Sequence, residues 1–161
     1  PLALAATVHA SAALLVAGYL VYWLGDIADG ALARRVGQET RIGAVLDIVS
    51  DRACGALLAV GLATLRPQLW PALAIFLLQF MVLDSALSLS FLRWPILGPN
   101  DFHRVDRTIF RYNWSKPAKA LNTAGVIVAA ATGQPVPALV IAVAQLAVKA
   151  WSTRRLLALT A

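Results

Sequence analysis

Long apolar stretches separated by short polar segments make up most of the chain. Each stretch is near the length that crosses a bilayer as a helix, about 20 residues. The five stretches run from Leu4 to Arg35, Arg41 to Leu65, Trp70 to Leu92, Lys116 to Gly133 and Val136 to Leu159. Strands with open edges leave backbone groups unpaired in lipid, so helices are expected. The pattern predicts an all-α, polytopic membrane bundle of five helices.

Composition agrees with a membrane location. Hydrophobic residues make up 60% of the 161 residues and charged residues 14%. Soluble domains average roughly 45–50% apolar and about 25% charged residues. We therefore interpret residues 1–161 as one transmembrane domain of an integral membrane protein.

The basic residues indicate how the bundle is oriented. Of the 14 lysines and arginines, only Arg66 falls in a connection on the opposite side of the predicted membrane. Cytosolic connections of membrane proteins carry an excess of Lys and Arg, so the basic side is predicted to be the cytosol. The net charge of +6 then follows from topology, and no nucleic-acid partner is expected.

Five spans place the two ends of the sequence on opposite sides of the membrane. The sequence also begins at Pro1 rather than at a methionine. We expect it to be an N-terminally truncated piece of a longer protein, with one further helix upstream that restores an even number of spans.

Four aspartates interrupt the apolar pattern: Asp26, Asp29, Asp47 and Asp51. A charge at the centre of a bilayer costs about 2.5–3.5 kcal/mol, so four unpaired carboxylates would cost on the order of 10 kcal/mol. Bound divalent cations in a water-filled cavity would offset that cost and keep the carboxylates ionised.

Helical spacing gathers these carboxylates onto two facing stripes. Asp26 and Asp29 share one face of the first helix, whereas Asp47 and Asp51 share a face of the second. A short loop makes the two helices antiparallel neighbours. Because the ligands are all oxygens, the pattern favours Mg²⁺ or Mn²⁺ over Zn²⁺. Such a site suits a diphosphate, and one carboxylate can take a proton from a hydroxyl nucleophile.

The run reads Asp26-x-x-Asp29-Gly30-x-x-Ala33-Arg34, eight residues, then Gly43-x-x-x-Asp47-x-x-x-Asp51. It resembles in full the signature of the CDP-alcohol phosphatidyltransferase family. The resemblance implies a membrane transferase that moves a phosphatidyl group from CDP-diacylglycerol to a hydroxyl acceptor and releases CMP, with two metal ions and a homodimeric assembly.

The same resemblance implies roles for the motif residues. Asp26, Asp29 and Asp47 would be metal ligands, and Asp51 would be the catalytic base and a further ligand. The residues expected around the CDP moiety are Gly30, Ala33, Arg34 and Gly43. The three small residues could equally serve close helix packing.

Basic residues in or beside the third connection, residues 93–115, are candidates for binding the acceptor: Arg93, Arg111, Lys116 and Lys119. They would favour an anionic polyol phosphate such as glycerol 3-phosphate or inositol phosphate. Orientation in the membrane and attraction of anionic headgroups are an alternative explanation for the same charges. The expected setting is phospholipid biosynthesis, with the site facing the cytosol of a bacterial plasma membrane.

Other functions fit parts of the pattern. Cardiolipin-, serine- or choline-type members of the same family would use the same motif, and a divalent-cation transporter or channel would also need intramembrane aspartates. Asp84 lies within an apolar span, where it is expected either to pair with a basic residue such as Arg52 or to line the cavity. Cys54 is interpreted as a packing residue.

Overall fold

The structure is a computed structural model. It describes residues 4–5, 8–9, 11–37 and 39–159. At residues 26, 29–31, 33–34 and 123–124 it describes the backbone but not the side chains. The statements below concern this part of the chain.

Six helices account for most of the described chain. They are α1 (Ala12–Val36), α2 (Arg41–Leu65), α3 (Pro67–Arg93), α4 (Arg107–Asn113), α5 (residues 116–131) and α6 (Pro135–Ala158). A short 3₁₀ helix, Pro99–Arg104, precedes α4. Glycines with positive φ follow α1 and α5, at Gly37 (66°) and Gly133 (76°), where the chain turns. The all-α prediction is confirmed.

Two helices contain a wider turn than an ordinary α-helix. Residues Gln79–Asp84 of α3 are π-helical, between α-helical segments Trp70–Leu78 and Ser85–Leu89. Residues Ala120–Ala124 of α5 are π-helical as well. Such turns are uncommon and are often found at functional sites.

The five predicted apolar helices all form, although they differ in length. Among the described residues, α2, α3 and α6 are long and apolar enough to cross a membrane. The apolar part of α1 is Ala12–Gly25, because the motif aspartates follow it. Helix α5 is shorter because it begins at Lys116 and the turn at Gly133 closes it.

The core consists of two clusters of buried apolar side chains. The first apolar cluster draws on α2, α3, α5 and α6: Ala59, Leu62, Ala63, Leu69, Ala72, Leu73, Phe76, Phe80, Val126, Ala130, Ala138 and Ala142. The second joins the other ends of α2, α3 and α6 to α4 and its flanking loops: Ile48, Leu87, Phe91, Ile96, Phe102, Ile109, Trp114 and Leu156. Along each of the three long helices, polar residues separate the two clusters.

Large apolar side chains also cover the outside of the bundle. Val21, Leu46 and Val140 are each more than 60% exposed. An exposed apolar surface spread over several helices is what a bilayer would cover. Together with the three long apolar helices, it supports an integral membrane protein.

Candidate active site

A hydrogen bond joins α1 to α2 beside the predicted site. The Tyr22 hydroxyl donates to Asp51 Oδ1 at 2.5 Å. Asp51 is half-buried, and this contact shows that its side chain faces α1. The motif does not include Tyr22, which lies one helical turn before Asp26. A hydroxyl at that i, i+4 spacing from an intramembrane aspartate was the signal that could have revealed it.

The contact also sets the register of these antiparallel helices. Residue 26 lies four residues after Tyr22 on α1, and residue 47 lies four residues before Asp51 on α2. Because the two helices are antiparallel, the backbones of residues 26 and 47 lie at a similar height along the helix axes. A further turn brings residue 30 level with Gly43. For five motif residues the structure describes only the backbone, and their roles stay predictions: Asp26, Asp29, Gly30, Ala33 and Arg34.

The first turn of α2 carries the next part of the motif. Thr40 caps this helix, because its hydroxyl accepts a hydrogen bond from the Gly43 N–H at 3.0 Å. A Cβ added at Gly43 would lie only 3.0 Å from that hydroxyl oxygen, so glycine leaves the cap undisturbed. Gly43 therefore has a local structural use in addition to its predicted place near the CDP moiety.

The carboxylates of α2 suit a hard cation. Asp47 is exposed and lies one turn before Asp51 on the same helix. Carboxylate oxygens are the ligands that Mg²⁺ prefers, and it commonly needs only one or two of them from the protein. Among the described side chains, no three His, Cys, Asp or Glu residues come close enough to hold a metal ion together. The other two predicted ligands, Asp26 and Asp29, are not among those side chains.

Immediately after Asp51, three charged residues from three helices meet. We call Arg52, Asp84 and Lys149 the charged hub. Arg52 Nη2 donates to Asp84 Oδ2 at 2.5 Å, and Lys149 Nζ forms an ion pair with Asp84 Oδ1. The expected pairing of Asp84 with Arg52 is confirmed, but its second partner on α6 was not foreseen.

Further polar groups surround the charged hub. Arg52 also donates to the hydroxyls of Ser85 and Ser88, each at 3.2 Å. Lys149 donates to Asn113 Oδ1 at 2.9 Å, and the Asn113 amide donates to Ser152 Oγ at 2.8 Å. The network thus extends from α2 through α3 and α6 to α4.

The four candidate acceptor residues lie at the end of the bundle that carries the polar connection. Arg93 ends α3, Arg111 lies in α4, and Lys116 begins α5; all three are exposed. Lys119 Nζ donates to Asn100 Oδ1 at 2.6 Å, which ties α5 to the 3₁₀ helix. Their role towards an acceptor stays a prediction.

Arg41 has a structural contact that the charge pattern did not predict. Its Nη2 donates to the carbonyl of Leu92 at 2.6 Å and to that of Trp94 at 3.3 Å. The last carbonyls of a helix lack partners within the helix, and a cation there stabilises its end. Arg41 therefore connects the start of α2 to the end of α3.

A second ion pair connects the polar segment to α6. Arg155 Nε donates to Asp106 Oδ2 at 2.9 Å, and the Ile109 N–H donates to Asp106 Oδ1 at 2.8 Å. Burial acts to raise the pKa of Asp106, but the Arg155 hydrogen bond and charge, with the backbone N–H groups, outweigh it and lower that pKa below its ordinary value. Asp106 is thus ionised at neutral pH and caps α4.

Comparison with known proteins decides the family. The family model described as CDP-alcohol phosphatidyltransferase matches residues 1–157. The chain belongs to the CDP-alcohol phosphatidyltransferase family. The match extends well beyond the motif and covers all six helices apart from the last residue of α6.

Curated relatives in this family carry more specific names. The chain is similar to CDP-diacylglycerol–inositol 3-phosphatidyltransferases from Rattus norvegicus and Mus musculus, each 37% identical over 87 residues. The Homo sapiens protein of the same name is 34% identical over 87 residues. Each match covers 54% of this chain and 39% of the relative. No solved structure matches the chain.

Proposed function

We propose that this protein transfers a phosphatidyl group from CDP-diacylglycerol to a hydroxyl of a polyol acceptor and releases CMP. The observation that carries the proposal is the complete motif on two antiparallel helices, with Asp51 directed towards the helix that contributes Asp26 and Asp29. Membership of the family over residues 1–157 supports it.

In the proposed reaction, a hydroxyl oxygen of the acceptor attacks the phosphorus that bears the diacylglycerol. The bond from that phosphorus to the oxygen bridging it to CMP breaks, and CMP leaves with that oxygen. Asp51 accepts the proton of the attacking hydroxyl as general base. The Tyr22 hydroxyl holds Asp51 Oδ1, which orients the carboxylate towards α1.

Divalent metal belongs to this proposal. Two ions would be held by Asp26, Asp29, Asp47 and Asp51. Because these residues form an oxygen-only donor set, the ions would be Mg²⁺ or Mn²⁺. When bound, the cations would neutralise the diphosphate and the charge that develops on the departing CMP. Gly30, Ala33, Arg34 and Gly43 would lie around the CDP moiety.

For the acceptor we propose inositol or an inositol phosphate. The relatives' name includes inositol as the acceptor, and the exposed basic side chains of Arg93, Arg111 and Lys116 favour a phosphorylated form. The proposal further places the site on the cytosolic face of a bacterial plasma membrane, where the basic connections lie, and includes a homodimer.

The test uses the purified chain in lipid nanodiscs with labelled CDP-diacylglycerol and Mg²⁺. Separate reactions contain inositol, inositol phosphate, glycerol 3-phosphate, serine or phosphatidylglycerol, and both CMP and the lipid product are measured. We expect CMP release that depends on inositol or its phosphate and stops with a chelator. Release with another acceptor alone would overturn the acceptor assignment.

The role of Asp51 is tested by Asp51→Asn. Turnover should fall by several orders of magnitude, whereas Asp101→Asn, a matched change in the 3₁₀ helix before α4, should leave it unchanged. Full activity of Asp51→Asn would exclude its role as the base. If the wild-type chain releases no CMP but conducts Mn²⁺ across vesicles, the transporter alternative replaces the transferase.

A further inference from the structure

The charged hub lies in an unusual place for three side chains that can carry a charge. Lys149 is 2% exposed, and the side chains of Arg52 and Asp84 are 11% and 14% exposed. Along α2, α3 and α6, these residues fall between members of the first and second apolar clusters. The hub is therefore enclosed within the bundle rather than displayed at a surface.

Stability alone is a weak explanation for this arrangement. A charged side chain within a membrane is costly before it is paired. Polar contacts between membrane helices stabilise the folded protein by only a modest amount on average. Apolar side chains would join these helices at a lower cost, so the hub points to a requirement for defined geometry.

The Arg52 side chain packs against the π-helical turn of α3. Phe80 and Asp84 both belong to that turn. The Arg52 guanidinium lies 4.2 Å from the centre of the Phe80 ring while it pairs with Asp84. On α2, Gly55 leaves room for the same ring, since a Cβ there would lie 2.7 Å from Phe80 Cε1. One face of α2 is therefore fitted to α3 at Arg52 and Gly55.

Arg52 directly follows Asp51, the proposed base, on α2. Successive residues of a helix differ by about 100° in direction, so fixing the Arg52 side chain against α3 restricts the rotation of α2 about its axis. That rotation sets where Asp51 points. Lys149 forms an ion pair with the other oxygen of Asp84, so the carboxylate cannot turn away from Arg52 without breaking this contact.

We propose that Asp84 is a positioning residue for the transfer reaction: through Arg52 it fixes the rotation of α2 and thereby the direction of the Asp51 carboxylate. This inference rests on the proposed function. Asp84 itself does not touch the reacting atoms. Its effect on the reaction passes through Arg52 and the helix backbone.

The kinetic test compares Asp84→Asn, Arg52→Gln and the double variant. A displacement of about 1 Å can cost on the order of 10²-fold in rate, so each single change should lower kcat by about that factor. The KM for the acceptor should change by less than about threefold, because the proposed acceptor-binding residues lie on α3, α4 and α5 and not on α2. The double variant should be no slower than the slower single variant, because both changes remove one interaction.

Asn113→Ala is the matched control. It removes a buried partner of Lys149 but leaves the contacts of Arg52 in place. We expect it to lower thermal stability without a comparable loss of kcat. Asp84→Glu, which keeps the carboxylate, should recover part of the rate lost in Asp84→Asn. Wild-type kcat in Asp84→Asn, or multiplied losses in the double variant, would overturn the proposal.

A second readout does not require activity. Cys54 is the only cysteine of the chain, lies three residues after Asp51 and is half-buried. Its rate of labelling by N-ethylmaleimide reports the rotation of α2, with SDS-unfolded protein as the reference. The rate should change several-fold in Asp84→Asn and stay at the wild-type value in Asn113→Ala.

The two readouts separate the two proposals. If wild-type protein releases no CMP, the proposed function fails, while a changed Cys54 labelling rate would still show that Asp84 orients α2. If wild-type protein is active and Asp84→Asn labels at the wild-type rate, the transferase stands and the positioning role of Asp84 is excluded.

Discussion

The Tyr22 hydroxyl on α1 donates a 2.5 Å hydrogen bond to Asp51 on α2, so the proposed base is held by the helix that it faces. Hydrogen bonds to ionised groups contribute about 1.5–3 kcal/mol. Tyr22→Phe removes the donor of this hydrogen bond and keeps the ring.

We expect Tyr22→Phe to lower kcat by about tenfold or more, which corresponds to the lower end of that range. The measurement is CMP release at saturating donor and acceptor. Tyr19→Phe, one turn earlier on the same helix, is the control and should retain wild-type kcat. If both variants turn over at the wild-type rate, the Tyr22 contact does not contribute to the reaction.

Lys149 is buried on α6 and contacts both Asp84 and Asn113. Lys149→Ala leaves Asp84 paired with Arg52 alone and opens a cavity, so the free energy of unfolding should fall by about 1–3 kcal/mol. Unfolding in SDS–detergent mixtures measures this change. Arg154→Ala, an exposed change on the same helix, should stay within about 0.5 kcal/mol of wild type. An equal loss in both variants would contradict a stabilising role for the hub.

The Asp106–Arg155 pair should make stability depend on pH. Folding lowers the pKa of Asp106 below its ordinary value of 3.8, so the stabilisation is complete above that value and is lost as pH falls through the lower, folded pKa. Arg155 is 43% exposed, and screening limits the contribution to about 0.2–1 kcal/mol.

Asp106→Asn provides the comparison for this pH dependence, because Asn can still cap α4 but carries no charge. Thermal unfolding at a series of pH values should show wild type to be the more stable protein at neutral pH. The difference should shrink once the pH falls below about 4. A constant difference at every pH would mean that the charge of Asp106 does not stabilise the fold.

Gly55 and Phe80 are in close contact across α2 and α3. Gly55→Ala places a Cβ 2.7 Å from Phe80 Cε1 and should displace the ring that lies against Arg52. Overpacking of this kind costs about 1–3 kcal/mol. Gly25→Ala is the control, since an added Cβ there meets nothing within 4 Å. Both substitutions replace glycine with alanine and so increase helix propensity equally. A similar stability of the two variants would therefore argue against a clash between the added Cβ at position 55 and Phe80.

Much of the fold could be predicted because lipid imposes simple rules on sequence. The apolar stretches predicted five apolar helices, and the short loop between the motif halves predicted the antiparallel pair α1 and α2. The intramembrane position of Asp84 was enough to suggest Arg52 as its partner. In each case one local property, apolar length or unpaired charge, determines the outcome.

The remaining features depend on contacts between distant parts of the chain. The segment from residue 93 to 115 looked simply polar, yet it folds into a 3₁₀ helix and α4 around Phe102, which packs against Trp94 and Trp114. The π-helical turn Gln79–Asp84 has no signature in the spacing of apolar residues. From the sequence, Lys149 was interpreted as a residue at the cytosolic end of its helix. No local sequence pattern indicates that its side chain reaches Asp84.

The Asp84 carboxylate pairs with both Arg52 and Lys149. It therefore restricts the sliding of the long helices along their axes as well as their rotation. A shift of α6 by one turn, about 5.4 Å along its axis, would move the Lys149 ammonium group away from Asp84 on α3. The charge would then lie unpaired among aliphatic side chains. The two apolar clusters on either side of the charged hub could tolerate such a shift, because contacts between aliphatic side chains are similar at successive turns. The axial alignment of the three long helices is therefore set by a few ionic contacts, while the lipid-facing residues are free to vary.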